Sequence, residues 1–256
     1  IIATLGPSTS SIETIESLIK EGVDVFRINF SHSTHKEAEF LIKSIRKIND
    51  SLSKNIAILA DLQGPKLRIG DVVDDTNLNF GEKITIKTDK SFKGNKNKLF
   101  LNYQNLAKDI NKGEKILIDD GKIILKVIDT DGKHEVTAEV LQGGELSSNK
   151  GFNLPNTNIS QPALTDKDID DAIFSAKHNV DWIALSYVRN GSDIKSLVKL
   201  LENNTSHRIP IIAKIEKPEG VKNIDEIMKY SSGIMVARGD LGVEINAAEV
   251  PLIQKK

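Results

Sequence analysis

Short apolar runs alternate with amphipathic stretches over the first 66 residues of the chain. Three apolar runs have the length of strands: Ile1–Leu5, Val23–Phe30 and Ile56–Leu62. Between them, apolar residues recur at helical spacing, at Ile12, Ile15, Leu18 and Ile19, and then at Ala38, Leu41, Ile42, Ile45 and Ile48. Ser8 or Thr9 is expected to cap the first helix. The order strand, helix, strand, helix, strand is typical of α/β proteins.

From about Leu67 to Phe152 the pattern changes to short stretches of period two, such as Lys83–Thr88, separated by turn signals such as Asp119-Asp120-Gly121-Lys122. This pattern predicts a small antiparallel β-barrel. After Asn153-Leu154-Pro155 the earlier pattern returns. It predicts helices over Asp168–His178, Ile194–Leu201 and Val221–Tyr230, and strands over Asp181–Val188, Ile209–Ile215 and Gly233–Ala237.

Six strand-helix units around a β insert predict an α/β fold, a TIM-type (β/α)8 barrel that holds six of its eight units here. A small all-β barrel domain interrupts it after the third strand. The expected boundaries are 1–66 for the first part of the catalytic barrel, 67–153 for the inserted lid domain and 154–256 for the second part. An open doubly wound sheet is the alternative, but neither a Gly-x-Gly-x-x-Gly nor a Walker A run occurs.

Charge and composition exclude several classes of function. The 35 basic and 36 acidic residues leave a net charge of -1, so no overall field recruits nucleic acid or an anionic membrane. Cysteine is absent, which excludes disulfides and thiolate ligands and fits a reducing cytoplasm. No apolar run is long enough to span a membrane. The chain starts without Met in an apolar run, and we expect it to be part of a longer protein.

Reactive residues of parallel α/β barrels lie at the carboxyl ends of strands. After the second strand, alternation places Arg27, Asn29 and Ser31 on one face, where Arg suits an anion and the two oxygens suit a hard cation. Taken alone, Arg27 is as often an ordinary salt-bridge residue. The third strand ends at Asp61, followed by Lys66 and Arg68 beside a Gly-Pro turn that resembles a hinge or, alternatively, a solvated loop.

Lys214 and Glu216 point the same way out of an apolar strand, and Asp240 follows the next strand. Buried charges of this kind need partners. A Lys there can neutralise a transferring phosphoryl group, and two carboxylates on neighbouring strand ends can share Mg²⁺. A purely structural trio is the alternative. The whole set fits the handling of a phosphorylated or carboxylated small anion by electrostatic stabilisation, without a protein nucleophile.

Six motifs in order identify a family that the chain resembles over essentially all of its length. They are Ala3-Thr4-Leu5-Gly6-Pro7-Ser8, Phe26-Arg27-Ile28-Asn29-Phe30-Ser31-His32, Gly64-Pro65-Lys66-Leu67-Arg68, Lys150-Gly151-Phe152-Asn153-Leu154-Pro155, Lys214-Ile215-Glu216-Lys217-Pro218-Glu219-Gly220 and the run from Met235 to Glu244. The chain resembles the pyruvate kinases. The resemblance implies transfer of the phosphoryl group of phosphoenolpyruvate to ADP, giving pyruvate and ATP as the last step of glycolysis, in a cytoplasmic enzyme that is usually a homotetramer.

The resemblance also implies roles for individual residues. Arg27 contacts the phosphoryl donor, and Lys214 stabilises the transferring phosphoryl group and the developing enolate. Glu216 and Asp240 hold Mg²⁺ or Mn²⁺, and Gly239 with Asp240 lines the substrate pocket. The positions that meet the nucleotide are Arg68 and Lys150, one at each hinge of the lid, with Asn29 and His32 bordering the same side.

A monovalent-cation pocket is the point where the chain departs from many relatives. The resemblance places K⁺ on Asn29, Ser31, Asp61 and the carbonyl of Leu62. Potassium-dependent members typically carry Glu where this chain has Lys66. An ammonium there can supply the charge that K⁺ otherwise brings, so we expect little or no potassium requirement.

Two rival interpretations remain at this level. A pyruvate-metabolising lyase or aldolase also places Mg²⁺ on a Glu and an Asp at strand ends, but has no ADP for a lid to cover. A catalytically inactive binding protein on the same fold is the other rival, because fold alone does not prove activity. Phe80, Phe92, Phe100 and Tyr103 are expected in the core rather than on a nucleic-acid surface. Lacking its last barrel units, the isolated chain is expected to be unstable and inactive.

Overall fold

The computed structural model describes residues 1–256. Its strands are β1 Ile2–Thr4, β2 Val25–Asn29, β3 Ala57–Asp61, β4 Asn77–Leu78, β5 Lys83–Lys87, β6 Lys98–Phe100, β7 Lys115–Ile118, β8 Ile123–Thr130, β9 Glu135–Gln142, β10 Gly144–Glu145, β11 Phe152–Asn153, β12 Trp182–Leu185, β13 Ile211–Ile215 and β14 Gly233–Val236. Its α-helices are α1 Ile12–Lys20, α2 His35–Leu52, α3 Leu106–Asp109, α4 Asp166–Lys177, α5 Gly191–Glu202, α6 Pro218–Lys222, α7 Ile224–Tyr230, α8 Arg238–Glu244 and α9 Val250–Lys255, with a 3₁₀ turn over Ala247–Glu249.

These elements form two compact units. The first comprises Ile1–Pro65 and Pro162–Ala237, and the second comprises Lys66–Gln161 and Arg238–Lys256. Each unit has its own cluster of buried apolar side chains. No helix combines the length and the apolar character that crossing a membrane requires.

The first unit is built on a six-stranded sheet in the order β1-β2-β3-β12-β13-β14. Every neighbouring pair is parallel. Asn29 of β2 and Ala184 of β12 both pair with Asp61 of β3, so the strands end level with one another. Because all strands run the same way, their carboxyl ends meet at one edge of the sheet, and the candidate residues that belong to this unit lie in or directly after its strands.

Helix α2 shows why the sequence folds as it does beside this sheet. Thr34 caps it by accepting from the backbone N–H of Glu37, whose carboxylate accepts from the backbone N–H of Thr34. The apolar residues from Ala38 to Ile48 recur at helical spacing and are buried. The helix ends where Ser53 takes a left-handed backbone with φ of 51°.

The second unit contains a six-stranded sheet in the order β11-β7-β8-β9-β5-β6, together with the two-stranded pair β4 and β10. All its neighbours are antiparallel except β5 and β6, which are parallel. Alternation of apolar and polar residues in β9, with Val136, Ala138 and Val140 buried, supplies the core of this unit.

Three local predictions are wrong. Phe80, which we expected in the core, is 78% exposed. Helix α1 is capped by Ser11, which accepts from the backbone N–H of Thr14, because Thr9 is already used in a turn that accepts from Gly6 N–H. The single helix expected over Val221–Tyr230 is two helices, α6 and α7. Asn223 separates them in a non-helical conformation, with φ of −100° and ψ of 19°.

Candidate active site

Arg27 lies in β2, between β1 and β3 of the parallel sheet. Its Nε donates to Asp61 Oδ2 at 2.5 Å, and its Nη1 donates to Thr4 Oγ1 at 2.9 Å at the end of β1. The Asp61 side chain is only 1% exposed, whereas that of Arg27 is 24% exposed. The guanidinium is therefore oriented by a buried carboxylate and still reaches solvent, which suits contact with an arriving anion.

Lys214 of β13 lies on the other side of the same carboxylate. Its ammonium is 3.2 Å from Asp61 Oδ1 and 3.1 Å from Glu216 Oε1. Burial alone lowers the pKa of Lys214, but the adjacent carboxylates of Glu216 and Asp61 raise it more, so the pKa lies above its ordinary value. Lys214 is therefore a fixed positive charge, not a base, at physiological pH.

Ser186 and Tyr187 also belong to this network, although the sequence analysis did not identify them. Ser186 Oγ accepts from Lys214 Nζ at 2.8 Å and donates to the carbonyl of Leu62 at 2.7 Å. The backbone N–H of Tyr187 donates to Glu216 Oε2 at 2.7 Å. Both residues directly follow strand β12, so the strand-end rule that selected Arg27 and Lys214 also points to them.

The four residues predicted to bind the monovalent cation all belong to the first unit and lie at or directly after the ends of β2 and β3. Asn29 Oδ1 accepts from the backbone N–H of Ser31 at 3.0 Å. The carboxylate of Asp61 contacts Arg27 and Lys214, and the carbonyl of Leu62 accepts from Ser186. Three of the four residues, Asn29, Asp61 and Leu62, thus already interact with cations or donors of the chain.

A cleft of about 840 Å³ opens beside this edge and contains the predicted nucleotide residues Asn29 and His32. Pro7, Phe40 and Leu41 give it apolar walls, while Thr4, Lys36 and Glu37 are among its polar lining. Phe40, which lines the cleft, is 53% exposed. The cleft has the mixed lining that a ring with polar substituents requires.

The second unit brings Arg68 and Lys150 together. Arg68 forms an antiparallel bridge with Gly151, and the backbone N–H of Ile69 donates to the carbonyl of Lys150 at 2.9 Å. Arg68 Nη1 donates to the carbonyl of Asn149 at 2.5 Å, and Lys150 Nζ lies 3.1 Å from Asp119 Oδ1. The chain segment that carries Arg68 is therefore paired with the segment that carries Lys150.

The remaining predicted residues lie elsewhere in the second unit. Lys66 is half-buried, and its carbonyl accepts from Asn102 Nδ2 at 3.3 Å. Gly239 and Asp240 begin helix α8 and are exposed. No group of three or more His, Cys, Asp or Glu side chains is arranged to hold a metal ion.

Comparison with known proteins extends over the whole chain. A family model described as pyruvate kinase, barrel domain, matches residues 1–256. The chain is 43% identical over 256 residues to a pyruvate kinase of Staphylococcus haemolyticus, covering 100% of this chain and 44% of that protein. It is 44% identical to that of Corynebacterium efficiens and 43% identical to that of Corynebacterium glutamicum, covering 100% of this chain and 54% of each protein. The chain spans about half the length of the curated relatives that it matches.

Proposed function

The chain belongs to the pyruvate kinase family, and we propose that the protein that carries it transfers the phosphoryl group of phosphoenolpyruvate to ADP, giving pyruvate and ATP. The observation that carries this proposal is the shared carboxylate of Asp61, which holds Arg27 on one oxygen and Lys214 on the other. Two cations fixed at the carboxyl ends of strands provide a site for a highly charged phosphorylated anion.

The chemistry of the proposed reaction needs positioning and charge neutralisation, with no protein nucleophile. Arg27 binds the phosphoryl group of the donor through its solvent-facing guanidinium. Lys214, which keeps its proton, neutralises the charge of the transferring phosphoryl group and of the enolate that develops as the bond breaks. Because both cations are held by Asp61 before substrate arrives, little reorganisation is needed during the reaction.

A divalent cation fits the donor set that the family resemblance assigns to it. Glu216 and Asp240 are carboxylates, the hard oxygen ligands that Mg²⁺ and Mn²⁺ prefer. We propose that these two side chains hold Mg²⁺. The ion neutralises phosphoryl oxygens when it is bound. Glu216 itself is oriented by the Tyr187 backbone N–H and by the Lys214 ammonium.

We propose that K⁺ is not required. Within the pocket that the resemblance predicts, Asp61 is already neutralised by Arg27 and Lys214. The carbonyl of Leu62 already accepts from Ser186. Lys66, which stands where potassium-dependent relatives carry Glu, is a further positively charged residue of the chain.

The cleft beside Asn29 and His32 is our candidate for the base and ribose of ADP. Its apolar walls suit a flat ring, and its polar lining suits the sugar. Arg68 and Lys150 are proposed to meet the nucleotide phosphates, and Gly239 with Asp240 is proposed to line the substrate pocket.

On the family resemblance we propose the larger architecture. Residues 1–66 and 154–256 form six of the eight units of a (β/α)8 catalytic barrel, and residues 67–153 form an all-β lid domain. The six parallel strands of the first unit and the mostly antiparallel sheet of the second support this assignment. The intact protein is proposed to be a cytoplasmic homotetramer.

The proposal is tested by steady-state assay of the intact protein. We expect pyruvate formation that requires phosphoenolpyruvate, ADP and Mg²⁺ together. Replacing Lys214 with Met should lower kcat by about 1,000-fold or more, since a fixed cation at the transferring group is removed. Pyruvate formation without ADP would favour a lyase, and a folded protein without turnover would favour an inactive binding protein.

A further inference from the structure

A buried hydroxyl, that of Ser186, joins two strand ends of the parallel sheet. The side chain follows β12 and is 2% exposed. It donates to the carbonyl of Leu62, after β3, and accepts from the ammonium of Lys214, in β13. A hydroxyl has a single hydrogen. Because that hydrogen is given to Leu62, a lone pair of the oxygen is directed at Lys214.

This arrangement completes the hydrogen bonding of the Lys214 ammonium. An ammonium has three N–H donors, and three acceptors surround this one: Ser186 Oγ at 2.8 Å, Glu216 Oε1 at 3.1 Å and Asp61 Oδ1 at 3.2 Å. Ser186 provides the shortest of the three contacts and the only uncharged acceptor. Lysine side chains are long and flexible, so two carboxylates alone leave the ammonium free to shift between them.

The next residue fixes the partner carboxylate. Tyr187 has a left-handed backbone with φ of 56°, a conformation that costs free energy in any residue but glycine. In this conformation its backbone N–H reaches Glu216 Oε2 at 2.7 Å. Strained backbone conformations of this kind are found most often at functional sites, where the surrounding structure holds them in place. Two successive residues therefore hold Lys214 and Glu216 at a set separation.

Gly64 packs closely against the Ser186–Tyr187 segment. A Cβ atom at Gly64 would lie 2.7 Å from Tyr187 Cδ2 and 3.0 Å from Ser186 Cβ. The backbone N–H of Gly64 also donates to the buried carboxylate of Asp168 at 2.9 Å. The segment is thus packed tightly against a fixed turn, which limits its movement.

We propose that Ser186 is a positioning residue for Lys214 and that, with Tyr187, it sets the spacing between the Lys214 ammonium and the Glu216 carboxylate. This inference rests on the proposed function, since the spacing matters for phosphoryl transfer. Catalytic groups must be held within about 0.5 Å of their productive geometry by their supporting residues. Loss of the hydroxyl should therefore reduce transition-state stabilisation and leave nucleotide binding intact.

The test compares three variants of the intact protein. Ser186→Ala should lower kcat by roughly 10- to 100-fold, the usual effect of removing a group that orients a functional side chain. The KM for ADP should stay within about twofold, because the proposed nucleotide cleft does not include Ser186. Ser186→Thr keeps the hydroxyl and should recover most of kcat. Ser175→Ala is the matched control, since Ser175 is equally buried and its hydroxyl has no partner.

A crystal structure of Ser186→Ala separates this inference from the proposed function. We expect Lys214 Nζ to move by more than about 0.5 Å or to occupy several positions. An unmoved Nζ, or an unchanged kcat, overturns the inference. If the wild-type protein forms no pyruvate, the proposed function fails, and the position of Nζ still decides the role of Ser186. If Ser186→Ala does not fold, Ser186→Cys replaces it, because a thiol is a weaker hydrogen-bonding group than a hydroxyl. We expect a lower kcat for Ser186→Cys than for Ser186→Thr, and equal values of kcat overturn the inference.

Discussion

Arg27 and Lys214 contact opposite oxygens of one carboxylate, that of Asp61, at 2.5 Å and 3.2 Å. The carboxylate is 1% exposed, so water does little to screen it. Two cations of like charge are thereby held at one edge of the sheet before any substrate anion arrives. Asp61, which the sequence suggested as a cation ligand, is in the structure the counter-ion of the chain's own cations.

Replacing Asp61 with Asn tests this role. The amide has the shape of the carboxylate without its charge, so Arg27 and Lys214 both lose the buried counter-ion that they share. We expect the free energy of unfolding to fall by roughly 2 kcal/mol, less than for a fully buried ion pair, because Arg27 reaches solvent and Lys214 keeps its contact with Glu216. Urea denaturation measures the change. The control Asp119→Asn removes a more exposed partner and should cost under about 1 kcal/mol. An Asp61→Asn protein as stable as the wild type contradicts the assignment.

Gly64 offers a second test, because a side chain at this position meets both a backbone and a packing restriction. Its φ is 69°, and an added Cβ would lie 2.7 Å from Tyr187. Gly132 has a φ of 67° but nothing within 4 Å of the added atom. Gly132→Ala should therefore cost about 1 kcal/mol from the backbone alone. Gly64→Ala should cost at least twice as much and also lower kcat, because Ser186 and Tyr187 must shift. If Gly64→Ala and Gly132→Ala change the free energy of unfolding and kcat equally, the close contact of Gly64 with Tyr187 contributes to neither.

The acid stability of the second unit should depend on Asp119. Hydrogen bonds from Lys122 and then from Lys150 lower the pKa of this carboxyl below its ordinary value. A carboxyl with a lowered folded-state pKa stabilises the protein at neutral pH, and this stabilisation is lost as pH falls below about 4. We therefore expect Asp119→Asn to lose less stability than the wild type between about pH 4 and pH 2.

The measurement for Asp119 is the urea midpoint, followed by circular dichroism across that pH range. Substitution of the exposed Asp50 by Asn serves as the control and should leave the acid dependence of the midpoint as it is in the wild type. If the urea midpoints of the wild type and the Asp119→Asn variant fall in parallel with pH, Asp119 does not contribute to the acid dependence of stability.

Potassium dependence provides a fourth test. We expect the rate of pyruvate formation to change by less than about twofold when KCl replaces choline chloride at fixed ionic strength, since the chain's own cations already neutralise Asp61. A several-fold rise with KCl would show that Arg27, Lys214 and Lys66 do not take the place of a monovalent cation.

The sequence predicted those parts of the fold that depend on local patterns. Apolar runs of strand length located all six parallel strands, and residues at their carboxyl ends gave Arg27, Asp61, Lys214 and Glu216, which the structure brings into one network. The strand predictions are confirmed because the length and period of an apolar run are local properties of the sequence, whereas the roles proposed for the four residues stay predictions.

The errors and omissions have non-local causes. The strand-end rule points to the position of Ser186, but its hydrogen bonds to Leu62, which follows β3, and to Lys214, in β13, depend on how the strands are arranged in the fold. Asn223 interrupts the helix expected over Val221–Tyr230, and its side chain donates to the carbonyl of Arg189 at 2.8 Å. A tertiary contact of this kind has no counterpart in helical periodicity.

Direct observation of phosphoryl transfer tests the central claim. The intact protein is mixed with phosphoenolpyruvate, ADP and Mg²⁺, and the phosphorus resonances are followed by ³¹P NMR. We predict that the phosphoenolpyruvate signal is replaced by that of the ATP γ-phosphate, without a matching rise in inorganic phosphate. The Lys214→Met variant should not show this change. Persistence of the phosphoenolpyruvate signal with folded wild-type protein, or its conversion to inorganic phosphate alone, would contradict the account.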